Sequence, residues 1–146
     1  MIDTLTTFGL GTALNTGGAG SYIVGDAIDL SVARDVGAGQ PLYLVISVSV
    51  TCASATGTLQ FALLTDAQDP ALISAEQLML TPEFVAADLT AGTLLFAASL
   101  PSGHPAYERY IQLMQITGTA AWTAGNFNAY LTDAVPNWVS YADGQN

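Results

Sequence analysis

The sequence predicts an all-β domain, an antiparallel β-sandwich or jelly roll. Two observations carry this. Short runs alternate apolar and polar residues with a period of two, the repeat of a half-buried strand. Between them lie clusters of Gly, Pro, Thr, Ser and Asn, which are turn chemistries and not helix linkers. At 146 residues the chain fits one domain, 1–146, that buries roughly 70% of its unfolded surface without staples.

The elements follow in order. Residues 1–21 are rich in Thr, Gly and Ala and read as an extended N-terminal arm or a weak first strand. Thr16-Gly17-Gly18-Ala19-Gly20 lacks the Lys of a phosphate loop and reads as a turn. Residues 22–30 form a plausible strand. The clearest strand is 42–50, with Leu42, Leu44, Ile46, Val48 and Val50 on one face. Residues 58–64 repeat the pattern through Leu59, Phe61 and Leu63. The region 72–89 is less regular. Ser74-Ala75-Glu76-Gln77 resembles a helix capping box, but Pro82 follows soon, and a short extended run over Leu78–Leu80 competes with a helix. Residues 93–98 place Leu94 with Phe96. Residues 109–116 set Arg109, Ile111 and Leu113 against Tyr110, Gln112, Met114 and Ile116. Residues 126–132 set Phe127, Ala129 and Leu131 against Asn128 and Tyr130. Turns are expected at 37–41, 55–57, 90–92, 101–105 and 123–126. A tail, 133–146, carries Trp138 and Tyr141. Such residues are seldom left in water, so they are candidate anchors on the chain's own domain or on a neighbouring subunit.

Composition narrows the function. Twelve carboxylates face only two basic residues, Arg34 and Arg109, for a formal charge of −10. Such a surface repels phosphate backbones and anionic lipid, so neither nucleic acid nor a membrane is an expected partner. The start has no basic n-region or long apolar run, which argues against a signal peptide. Only 10% of residues are charged and 51% are hydrophobic, a surface suited to broad contact with other protein. Cys52, the single cysteine, reads as a small buried apolar residue.

Few residues could carry chemistry. His104 sits alone in a loop. Asp66 and Asp69 lack the further oxygen ligands of a calcium loop. No nucleophile has a base at hand, so neither an enzyme nor a cofactor is expected. Arg34-Asp35 and Glu108-Arg109 remain. A crossed arrangement would pair Arg34 with Glu108, or Arg109 with Asp35 or Asp29. The alternatives are ordinary surface arginines, or contacts to another subunit, where Arg is enriched.

Several segments together resemble a family of tailed-bacteriophage capsid cement (decoration) proteins. They are Ile28-Asp29-Leu30, the block Ala33-Arg34-Asp35-Val36-Gly37-Ala38-Gly39-Gln40-Pro41-Leu42-Tyr43, Phe61-Ala62-Leu63-Leu64-Thr65-Asp66, Leu89-Thr90-Ala91-Gly92-Thr93, Leu100-Pro101-Ser102-Gly103, Glu108-Arg109-Tyr110-Ile111, Phe127-Asn128-Ala129-Tyr130 and Tyr141-Ala142-Asp143-Gly144. The likeness covers residues 28–144, departing at 104–107 and over 72–87. It implies a jelly-roll β-sandwich, made in the host cytoplasm, that sits as a homotrimer on the outer surface of the virion. There it would bind the major capsid protein near three-fold positions, with no active site. The rival reading is a jelly-roll carbohydrate-binding or adhesion module stacking sugars on Trp122, Tyr130, Trp138 or Tyr141. A small β-fold enzyme using His104 or converging carboxylates ranks last.

Overall fold

The computed structural model describes residues 6–31, 41–69, 75–101 and 107–133. Within these, nine strands form two antiparallel sheets that pack face to face. They are β1 (Thr7–Ala13), β2 (Gly20–Asp29), β3 (Tyr43–Ala53), β4 (Thr58–Asp66), β5 (Glu76–Leu80), β6 (Phe84–Val85), β7 (Leu94–Ser99), β8 (Tyr110–Gly118) and β9 (Ala124–Thr132). The first sheet runs β1-β9-β3-β7. The second runs β2-β8-β4-β5, with β6 also paired to β4. The all-β sandwich expected from the alternation is the fold.

One apolar core fills the space between the sheets. The first sheet contributes Phe8, Leu44, Ile46, Val48, Phe127, Ala129 and Leu131, and the second Val24, Ile28, Leu59, Phe61, Leu63, Ile111 and Leu113. Phe61 and Phe127 meet across the gap with ring centroids 5.0 Å apart and planes tilted by 51°, a favourable aromatic geometry. Strand β9 alternates without a fault, burying every second residue from Gly125 to Leu131. Polar groups in the interior are matched, with the exception among the described residues of Ser49 Oγ, which is buried without a hydrogen-bond partner. Gln115 and Thr117, both on the core side of β8, hydrogen-bond to each other, and Gln115 also accepts from the Asn15 amide and donates to its carbonyl. This ties the β1–β2 turn to the middle of the opposite sheet.

The structure decides two readings that the sequence left open, at 7–13 and 76–80, and alters others. Residues 7–13 are not an arm: they form an edge strand paired with β9, and Phe8 is fully buried. Their β-propensity is weak because Gly9 and Gly11 interrupt it, so burial of Phe8 decides the outcome. The run 76–80 is a strand, not a helix, because its pairing with β4 satisfies the backbone that a one-turn helix would leave open. Val50 does not continue the inward face of β3. A register irregularity between Val48 and Val50 turns it outward, 51% exposed, as an extra residue in one strand does. The same effect separates Leu94 from Phe96. Ile46 pairs with Phe96 while Ser47 pairs with Leu94, so Leu94 faces solvent and Phe96 the core.

The turn expected at 123–126 lies earlier, around Thr119 and Ala120, and 124–126 already belong to β9. Gly125 explains the shift. It holds φ at +134° inside the strand, and a Cβ there would lie 2.8 Å from the Cα of Cys52. The gap that a glycine leaves lets β3 and β9 close on each other. Cys52 is buried, as expected, and burial pushes its thiol up to about 11.

Candidate contact surfaces

The two outer faces of the sandwich differ in charge. Strands β1, β9, β3 and β7 contain no Asp, Glu, Lys or Arg at all. The outward side of this first sheet presents Tyr43, Ser47, Val50, Leu94, Asn128 and Tyr130. Asn128 and Asn126 lock β1 to it. The Gly11 amide donates to Asn128 Oδ1 at 2.7 Å, and Asn126 Nδ2 donates to the Gly11 carbonyl at 2.7 Å. In a chain of charge −10, a whole sheet without charge is a surface that another protein can approach without desolvating ions.

The second sheet carries the charge. Across its outer face runs an apolar row in direct register, Ile23, Met114, Ala62 and Leu80, with Leu64 and Ile116 beside it. Carboxylates close one end of it. Asp29, Tyr110 and Asp66 are register partners in three neighbouring strands. Arg109, just before β8, reaches Asp29 with both arms of its guanidinium, Nε to Oδ1 at 2.9 Å and Nη2 to Oδ2 at 2.8 Å. It also covers the Tyr110 ring at 4.9 Å. The Ser31 amide donates to Asp29 Oδ1 at 2.7 Å, and the Leu30 amide donates to the Arg109 carbonyl at 2.8 Å. This end of the β2–β8 pair is therefore closed by side chain and backbone together.

Of the two partners considered for Arg109, the structure selects Asp29. Arg34 and Asp35 lie outside the described residues, as do His104, Trp138 and Tyr141. The Glu108 amide donates to Thr65 Oγ1 at 2.8 Å. Asp66 is tied into its own turn, its Oδ1 accepting from the Gln68 amide, and Asp69 is tied to β8, its Oδ1 accepting from Gln112 Nε2. Trp122, one of the four aromatics a sugar platform would use, is 1% exposed and packs in the core. Sequence reasoning missed the charge-free sheet. Its four strands are visibly uncharged, but nothing in the sequence says that these four share a sheet.

The Asp29–Arg109 pair makes a pH prediction. The Arg109 guanidinium, then the Ser31 amide, hold the Asp29 carboxyl down from 3.8 to about 2. A carboxyl depressed in the folded state adds stability above its unfolded value, and that contribution fades as pH falls from about 4 through about 2. Asp29→Asn should thus lower the melting temperature at pH 6 and converge with wild type near pH 2. Because the pair is half-exposed, the effect should be small and weaken with salt. Parallel melting curves at both pH values and two salt concentrations check this.

Compared with known families, the chain matches the family model Bbp16 over residues 16–131. No curated protein matches it. The matched span takes in strands β2 to β8 and most of β9. The chain therefore belongs to the Bbp16 family, which is phage-related, and the match supports a virion-related structural protein.

Proposed function

We propose that this Bbp16-family chain is a capsid cement protein, a structural component that binds the outer surface of an icosahedral phage shell and stabilises it. The observation that carries the reading is the charge-free four-stranded sheet on an otherwise acidic chain. It offers a broad neutral surface for protein contact, while the acidic remainder keeps the particle exterior soluble and repels polyanions. The strand order β1-β9-β3-β7 opposite β2-β8-β4-β5 supports a jelly-roll topology, in which two Greek keys share a sandwich. A homotrimer near three-fold positions would multiply weak contacts to the major capsid protein, giving avidity without a strong single site.

Such a protein stabilises a shell only through its differential affinity for the assembled lattice over free capsid subunits. Co-sedimentation with shells that lack the chain tests this. Saturable binding to assembled shells, with little binding to unassembled capsid protein, is the expected result. Equal binding to both, or none to shells, contradicts it.

A further inference from the structure

The four sheet edges are not equally protected. At β2 the edge carries Asp26 and Asp29 and is broken by Gly25 at φ +72°. At β5 and β6 the edge carries Glu76 and is interrupted by Pro82 and Glu83. At β1 two register irregularities and Gly11, at φ +66°, distort the edge. These are the devices by which proteins prevent edge-to-edge pairing. Strand β7, Leu-Leu-Phe-Ala-Ala-Ser, has no charge and no proline, and no described strand pairs with it beyond β3.

The hydrogen-bond phase shows which groups it offers. The Leu100 amide donates to the Leu42 carbonyl at 2.7 Å. Antiparallel alternation then turns the amides of Ala98 and Phe96 toward β3, and those of Ala97 and Ser99 toward the open edge.

We infer that β7 is a self-pairing edge, joining a second copy of this chain antiparallel across a two-fold axis through Ala97. Charge selects this edge for a second copy. Pairing at β2 or at β5 would set carboxylate against carboxylate, whereas β7 sets neutral on neutral within the charge-free sheet. Side-chain size fits as well. A two-fold at Ala97 puts Phe96 opposite Ala98 of the second copy and Leu95 opposite Ser99, large against small on each side, with two alanines on the axis. The result is a continuous eight-stranded sheet with an isologous contact. The inference stands on the edge alone and does not depend on the capsid reading.

Two variants test it. Ala97→Pro removes an amide that faces the open edge and not β3, so it blocks pairing while leaving the β3–β7 ladder intact. Ala97→Glu places two carboxylates face to face on the axis, which is destabilising for a directly opposed pair, at a position that is exposed in the single chain. Light scattering of wild type at micromolar concentration should give twice 15.1 kDa, or six times it where the edge joins two of the proposed trimers, increasing in population with salt as the −10 charges are screened. Ala97→Glu should halve that mass while keeping a cooperative melt. If Ala97→Pro fails to fold, Ala97→Glu decides. A wild-type monomer, or a trimer that does not pair, overturns the inference. So does an assembly whose mass Ala97→Glu leaves unchanged, or protection of the Ala97 and Ser99 amides only when another protein is bound.

Discussion

Phe127→Ala is expected to cost about 3–5 kcal/mol, the usual range for removing a buried aromatic side chain. Phe127 is 1% exposed and stacks on Phe61 at 5.0 Å, and the two belong to opposite sheets. Truncation therefore opens a cavity between the layers, where neither sheet can close without moving the other. Against a total stability of about 5–15 kcal/mol for a domain, this is a large share. It should lower the melting temperature by roughly 10 °C, at 2–4 °C per kcal/mol for a chain of this size. Val50→Ala is the control. Val50 faces solvent because of the irregularity in β3, so its loss should fall within about 0.5 kcal/mol. Chemical denaturation of both variants checks the pair. Equal losses would mean that Val50 continues the inward face after all.

Gly125→Ala should cost about 3 kcal/mol or more, although it adds one methyl group. Two effects combine. A side chain at φ +134° is strained by roughly 1–3 kcal/mol, and overpacking adds about 1–3 kcal/mol. The added Cβ would lie 2.4 Å from Cys52 Sγ and 2.8 Å from its Cα and Cβ. Cys52 cannot retreat freely, since its amide is held by the Leu89 carbonyl at 2.9 Å. Adding Cys52→Ala removes the Sγ contact but not the backbone one. The double variant should thus be less destabilised than the sum of its parts, yet remain well below wild type. Full additivity in a double-mutant cycle would contradict this close approach.

The fold was legible where alternation was unbroken. In β9, Phe127, Ala129 and Leu131 announced the core face, and in β8 Ile111 and Leu113 did the same. The sequence was silent at Val50 and Leu94 for one physical reason. Both are apolar, so a period-two count passes through them, whereas a bulge resets the phase through backbone hydrogen bonding that no residue type announces. Phe8 was hidden in a different way. Its flanking Thr and Gly residues look irregular, and only the pairing of β1 with β9 shows that its ring is interior. The Asp29–Arg109 contact was one of two open alternatives. Eighty residues separate the partners, and only the register of β2 on β8 brings them together.

The candidate surface shows the same limit from another side. Every uncharged residue of β1, β3, β7 and β9 is plain in the sequence, but sheet membership is a property of topology. Once the order β1-β9-β3-β7 is known, four unremarkable runs become one neutral face, and the acidic residues among the described ones fall on the other sheet or outside the strands.

The capsid role is tested most directly by heat. Particles carrying the chain, particles stripped of it, and stripped particles to which purified chain is restored should be warmed while a DNA-binding dye reports genome release. The cement reading predicts release at a lower temperature from stripped particles, with the original temperature regained on restoration. Release at one common temperature from all three would contradict it.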